Sequence, residues 1–311
     1  MRTLLLAALT VAASGCGAVQ RAVVDAGVAS RRADAGVAER SVTVDGRRVA
    51  YLERPGAEPA LVLVHGFGAE KDAWLTFAEA LPAGRRLLAP DLPGHGGSDA
   101  GPGDYDALRL ADETAAWLAA VAGGPADVAG NSLGGLVATL VAARAPDRVR
   151  RLVLMDPAGV DAPEPSGLDS LLAAAPGGRP AANPLIPTTR AEYDRLLDLV
   201  FEGDPGIPGV ARTVLARRAR ERAPFLRALF ETLRAGQGDV RPVLPAVRQP
   251  TLVVWGARDR VLSPSAAPVW RDLLPDATLA VLPGVGHAPM SEAPEATARL
   301  TLDFLRSSAT R

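Results

Sequence analysis

Four short apolar segments constrain this chain more than any other feature. Residues 61–64, 86–89, 152–155 and 252–255 each run through aliphatic side chains into a loop bearing Gly, Pro or Asp. Runs this short, without polar alternation, suit strands covered on both faces. Residues 127–129 and 278–282 read as two further strands. Helix-length segments lie between them. In residues 104–121, Leu108, Ala111, Ala115 and Leu118 recur on one face; residues 133–145 are stopped by Pro146; residues 293–305 form a closing helix. Strands alternating with helices predict a mostly parallel, doubly wound α/β sheet. Ahead of them, residues 41–44 and 48–53 alternate about Asp45-Gly46, which is a hairpin signal.

Residues 157–249 break this rhythm. They begin rich in Pro, Gly and Ala, then turn helical and Arg-rich between Arg212 and Arg234, with no convincing strand pattern. The simplest organisation is an α/β core of residues 41–156 and 250–311, with residues 157–249 inserted as a helical cap. Ligands in open α/β sheets bind at the carboxyl ends of the strands. A cap over those ends would shape the substrate pocket.

The chain has 311 residues, 48% of them hydrophobic, which suffices for one large domain with an insertion. A net charge of −1 offers no concentrated basic face, so no nucleic-acid partner is expected. Cys16 is the only cysteine and rules out an internal disulfide. Arg2, the apolar run of residues 4–13 and the small residues before Cys16 form an export signal over residues 1–16, too short for an ordinary transmembrane span. Ala13-Ser14-Gly15-Cys16 resembles a bacterial lipoprotein signal, in which the Cys is lipidated and becomes the new N-terminus; Ala13 stands where that pattern prefers Leu. The resemblance implies a membrane partner through an anchor at Cys16 and a place in the cell envelope. Gly17 carries no acidic retention cue, which mildly favours the outer membrane. A plain secretory signal, giving a periplasmic or secreted protein, is the alternative. Residues 17–40 are rich in Ala, Arg, Asp and Gly, and Asp25-Ala26-Gly27-Val28-Ala29 recurs as Asp34-Ala35-Gly36-Val37-Ala38. Two copies make no repeat fold. A flexible tether is expected there, with a short helix as the alternative.

The chemistry centres on Gly130-Asn131-Ser132-Leu133-Gly134, between a short strand and a helix. A G-x-S-x-G segment in that context forms a nucleophile elbow. The sharp turn holds the serine in a strained conformation, and small residues two positions either side let neighbouring chains approach. The same pattern also occurs in Gly-rich turns that do no chemistry. A serine hydroxyl needs a base, and the chain has only His65, His95 and His287. His287 follows the last strand within Gly284-Val285-Gly286-His287-Ala288-Pro289, from where a loop can carry an imidazole over the sheet edge. Asp259, just after the strand at 252–255, completes the order Ser, Asp, His and would orient the imidazole. Asp156, after the strand that follows the elbow, is the second candidate acid. The backbone N–H groups of Phe67 and Leu133 are the expected oxyanion donors. His65 reads as a loop-bonding residue, and His95 as part of the pocket architecture of the Pro93–Asp99 loop. No metal-ligand spacing, P-loop or dinucleotide fingerprint is present, so neither metal nor cofactor is expected.

From about Ser41 to Leu305, cap excepted, the chain resembles the α/β-hydrolase superfamily. The residues that carry the likeness are His65-Gly66-Phe67-Gly68, Asp91-Leu92-Pro93-Gly94-His95-Gly96, Gly130-Asn131-Ser132-Leu133-Gly134, Asp259 and His287, in family order. The resemblance implies an α/β-hydrolase fold and a serine hydrolase that cleaves carboxylic esters through an acyl-enzyme, on a small-molecule or lipid ester. Gly130-Asn131-Ser132-Leu133-Gly134-Gly135 is similar both to secreted bacterial lipases and to C–C bond hydrolases of aromatic degradation. The export signal favours the lipases, as does the segment from Phe201 to Pro208, which leads into a helix carrying Leu215, Leu226, Leu229 and Phe230. A C–C hydrolase, or a non-catalytic binding module on the same fold, is the alternative.

Overall fold

The structure is a computed structural model describing residues 17–101, 105–173, 183–236 and 240–307. Residues 1–16, where an export signal ending at Cys16 is expected, lie outside the described residues. The strands are β1 (Ala38–Val44), β2 (Arg47–Arg54), β3 (Ala57–Val64), β4 (Arg85–Pro90), β5 (Ala126–Asn131), β6 (Val149–Met155), β7 (Thr251–Gly256) and β8 (Ala277–Leu282). They form one sheet in the order β1-β2-β4-β3-β5-β6-β7-β8. The β1–β2 hairpin and the β2–β4 pair are antiparallel, and every other pair is parallel. The expected doubly wound sheet is therefore present, and its central strand β5 is buried along its whole length.

The helices are α1 (Gly17–Asp34), α2 (Leu75–Ala80), α3 (Ala107–Val121), α4 (Leu133–Arg144), α5 (Gly167–Ala173), α6 (Arg190–Val200), α7 (Gly209–Gly236), α8 (Ala266–Leu273), α9 (Pro289–Glu292) and α10 (Pro294–Ser307). Apolar side chains of α3, α4 and α8 pack on one face of the sheet, and those of α2, α9 and α10 on the other. Helix α4 is apolar on every side and correspondingly buried along most of its length.

The face that α3 turns inward differs from expectation. Leu110, Ala111, Thr114, Trp117 and Leu118 are buried, whereas Leu108 is 46% exposed. Trp117 and Leu110 offer more area to the core than Ala115 and Leu108, and their burial sets the rotation of the helix.

Residues 17–40 also depart from the tether expected of them. Gly17–Asp34 is helical, the alternative that the composition left open, and residues from Ala38 onward already belong to β1. Ala and Arg are strong helix formers, and the helix is fastened to the domain. The Arg32 guanidinium forks onto Asp72 at 2.7 and 2.6 Å, Arg31 reaches Thr76 at 2.7 Å, and Arg218 of α7 pairs with Asp25. The repeated pentapeptide has two fates. Gly27 sits within the helix, while Gly36 ends it at φ +67°, with Val37 N–H bonded to Arg32 O at 2.9 Å and Gly36 N–H to Ala33 O at 3.0 Å.

Between β6 and β7 the described residues contain helices and no strand. Helix α7 lies across the loops at the carboxyl ends of β3 and β4. A Cβ on Gly94 would fall 2.2 Å from the Phe225 ring, and Leu226 packs with Ala223 and Ile186 beside Phe67, Phe225 and Phe230. Of the four apolar residues singled out in this helix, Leu226 and Leu229 are buried, and Leu215 and Phe230 are half-buried.

The loop after β4 is held by a buried ion pair. Lys71, the only lysine in the chain, lies 2.8 Å from Asp91 and 3.2 Å from Glu39. Asp91 also accepts from the backbone N–H groups of Lys71 and Gly97, each at 2.7 Å. Removing one partner of a buried pair strands the other without water. Asp91→Ala is therefore expected to lower the unfolding free energy by about 3 kcal/mol in urea denaturation. A loss well below 1 kcal/mol would show that the pair does not hold the loop.

Candidate active site

Ser132 occupies the turn from β5 into α4 at φ +55° and ψ −121°, a conformation that L residues rarely adopt. Its flanking glycines explain why the strain persists. A Cβ on Gly130 would fall 2.2 Å from the Gly134 carbonyl oxygen, and one on Gly134 would fall 2.1 Å from that of Val64. No side chain fits either gap, so the chains close onto each other and fix the turn. The Ser132 N–H donates to Met155 O at 3.0 Å, and Ser132 O accepts from Gly135, Leu136 and Ala158. The backbone is fully tied while the side chain remains partly exposed.

Two loops from the far side of the sheet meet this turn. Asp259 follows β7, and His287 follows β8. The His287 ring meets Asp259 through Nδ1 and Oδ2 at 2.7 Å, and both residues are buried. With Nδ1 donating to the carboxylate, Nε2 is the basic nitrogen. The other Asp259 oxygen accepts from the N–H groups of Val261 and Leu262 at 2.8 and 3.0 Å, so the carboxylate cannot swing away.

Asn131 joins the His287 loop to the elbow. Its side-chain amide donates to the carbonyls of His287 at 3.0 Å and Met155 at 3.1 Å. The His287 N–H donates to Val200 O at 2.8 Å, at the end of α6. Glu292 accepts from the N–H groups of Gly286 and Glu202, at 3.0 and 2.8 Å. Arg260 donates to the carbonyls of Asp198 and Phe201, both at 2.6 Å. The helical segment between β6 and β7 is thus bonded to the loops that carry Asp259 and His287. Asn131 and Glu292 escaped the sequence-based reading. Asn131 fills the variable slot of the motif, and Glu292 gives no sign of its partners in the primary structure.

The loop after β3 presses on the elbow from the other side. A Cβ on Gly66 would stand 3.1 Å from Ser132 Cβ. Phe67 follows at once, half-buried, with its ring 5.8 Å from that of Phe230. Leu133 is the first residue of α4, and the N–H groups of a first helical turn have no carbonyl partner within the helix.

His65 and His95 are buried, with rings 5.1 Å apart. His65 Nδ1 lies 2.8 Å from Gly66 O, and its Nε2 accepts from the Leu92 N–H at 3.0 Å. His95 Nδ1 lies 3.0 Å from Pro93 O, and its Nε2 faces the Gly68 N–H at 3.4 Å. Each ring therefore donates once and accepts once, as only neutral imidazole does. Both knit together the loops after β3 and β4. Asp156, the second candidate acid, directly follows β6, and its side chain lies beside that of Asp259. Its Oδ1 accepts from the Gly256 N–H at 2.8 Å.

A family model of the alpha/beta hydrolase fold matches residues 59–294. The chain belongs to that family. It is 32% identical over 263 residues to a monoacylglycerol lipase of Xenopus laevis, covering 82% of this chain and 77% of the relative. Lipase 3 of Moraxella sp. (strain TA144) is 32% identical over 267 residues, covering 83% and 82%. Among solved structures, a membrane phospholipase A described as a bacterial virulence factor superposes with a TM-score of 0.89 at 37% identity, covering 100% of both chains.

Burial pushes the pKa of His65 down to about 4 and that of His95 down to about 3. The unfolded chain takes up these protons near the ordinary histidine value, and the native state refuses them until lower pH. Stability is therefore full above about pH 6.5 and is lost as pH falls from there toward 4, by roughly 3 kcal/mol for His65 alone. Urea titrations across that range are expected to show this loss, and His65→Gln to show a shallower slope. An equal slope in the variant would contradict the assignment.

Proposed function

We propose that the chain is a serine carboxylic ester hydrolase, an esterase or lipase, in which Ser132, His287 and Asp259 act together. The observation that carries this is the 2.7 Å bond between His287 and Asp259, in loops tied through Asn131 to the strained turn that presents Ser132. In the reaction, His287 Nε2 removes the Ser132 proton as Oγ attacks the ester carbonyl. Asp259 holds the tautomer and stabilises the imidazolium. The N–H groups of Phe67 and Leu133 receive the developing oxyanion. The imidazolium then protonates the departing alkoxide, leaving an acyl group on Ser132. A water molecule, deprotonated by the same nitrogen, releases the acid and restores the hydroxyl. Neither metal nor cofactor enters these steps.

The substrate class follows from what covers the strand ends. The helices between β6 and β7 are taken as the cap, and the apolar side chains Phe67, Leu226 and Phe230 pack together on the loop whose Gly66 touches Ser132. They suit an acyl chain better than a polar substrate. The lipase relatives, alike over more than four-fifths of this chain, support a lipid or small-molecule ester.

The protein is further proposed to be exported and held to a membrane of the cell envelope by a lipid on Cys16. Among the described residues, no helix is long and apolar enough to cross a membrane. Helix α1, docked on the domain, would then hold the catalytic domain close to the bilayer.

Ser132→Ala is expected to reduce hydrolysis of p-nitrophenyl esters by about 10³-fold or more while leaving the melting temperature near that of the parent. A panel from acetate to palmitate reads the acyl preference, with turnover highest on medium or long chains. A variant with parental rates would end the nucleophile assignment. Turnover of a vinylogous dienoate, without ester turnover, would favour a C–C hydrolase, and no turnover at all a binding module. Cys16→Ala is expected to move the protein from the membrane to the soluble fraction of the envelope. Unchanged membrane retention would contradict the anchor.

A further inference from the structure

The side chains of Asp156, Asp259 and His287 converge so closely that one nitrogen or oxygen from each lies within 4.8 Å of the others. Asp259 uses both of its oxygens, one on His287 and one on the N–H groups of Val261 and Leu262. Asp156 uses only one, which accepts from Gly256 N–H at 2.8 Å. Its other oxygen, Oδ2, is buried and has no donor among the described residues. The whole residue is shut off from solvent, and it holds φ at +45°, one of three described non-glycine residues at positive φ. A backbone held against its preference to aim a carboxyl inward is a feature that functional sites retain.

We propose that Asp156 is a positioning residue that carries a proton and donates it in a hydrogen bond to Asp259, which keeps the charge that orients His287. Two carboxylates this close, without water, do not both ionise. Asp259 is the better place for the charge, because two backbone N–H groups and the imidazole all donate to it, whereas Asp156 has one donor. A proton on Asp156 Oδ2 turns a buried acceptor without a partner into a donor facing an acceptor, which removes its desolvation cost. Burial, and then the charge of Asp259, hold the Asp156 carboxyl well above the usual carboxylate range; the Gly256 N–H opposes this, and Glu292 adds to it. A neutral acid stiffens Asp259 without adding a second negative charge beside the imidazole. The inference rests on the triad proposed above, as far as catalysis is concerned.

The test compares the full-length wild type with Asp156→Asn and Asp156→Ala. Asparagine keeps a donor toward Asp259 and tolerates positive φ, so it mimics the protonated acid. Asp156→Asn is expected to keep kcat/KM on p-nitrophenyl butyrate within about threefold, with the acid limb of the pH profile unmoved. Asp156→Ala is expected to lose about tenfold in kcat with KM held, the loss of one oriented hydrogen bond. An acid limb moved down by about one pH unit in Asp156→Asn would overturn the proposal, since it reports the removal of a negative charge. So would an Asp156→Ala variant as active as the wild type. Should Asp156→Ala not fold, infrared difference spectroscopy between wild type and Asp156→Asn at neutral pH decides. The carbonyl stretch of a protonated carboxylic acid, present in the wild type and lost in the variant, supports the proposal, and its absence from the wild type overturns it. That band does not depend on turnover, so failure of the triad and failure of this inference are distinguishable.

Discussion

Gly134 passes the carbonyl oxygen of Val64 with no room for a side chain, and Gly130 passes that of Gly134 in the same way. This contact between the start of α4 and the end of β3 turns the chain sharply at Ser132. It sets the height at which the hydroxyl stands above the sheet, and it draws the Gly66–Phe67 loop against the serine. The register of β5 against β3 and β6 carries the elbow to the middle of the sheet, where loops from both sides can reach it. Alanine at either glycine would push the start of α4 away from the strand ends before it altered any chemistry.

Around this fixed point, side-chain hydrogen bonds bind the surrounding loops to one another. The loops after β3 and β4 are bound through neutral His65 and His95 and through the buried Lys71–Asp91 pair. The loops after β7 and β8 are bound through Asp259 and His287, and then to α6 and the segment after it by Val200, Glu202 and Arg260. The helical segment between β6 and β7 is therefore part of the site's frame. A change of conformation in α6 would reach His287 directly, through the Val200 carbonyl that holds its N–H.

Much of this was legible in the sequence, because the relevant signals are local. Aliphatic runs ending at Gly, Pro or Asp mark the parallel strands; the Gly-x-Ser-x-Gly spacing marks the turn; the order Ser132, Asp259, His287 follows the strand ends. What escaped depends on partners distant in the chain. The phase of α3 is decided by Trp117 packing on the sheet, which an alanine-rich periodicity disguises. Residues 17–40 looked like a tether because their polar surface says nothing of Asp72 and Arg218, the partners that dock the helix. Asn131 and Glu292 have neighbours 156 and 90 residues away along the chain. Asp156 was visible as a second acid, but not as a neighbour of the first.

The central claim is that Ser132 is the nucleophile of a working ester hydrolase, and covalent trapping tests it most directly. A fluorophosphonate phosphonylates only a serine whose hydroxyl is activated by a base and whose oxyanion donors are in place, with fluoride as the leaving group. Incubated with the full chain, it is expected to add one phosphonyl group, mapped by peptide mass spectrometry to Ser132, with loss of activity in step with labelling. An unlabelled Ser132, or an adduct on a different serine that abolishes turnover, would contradict the account.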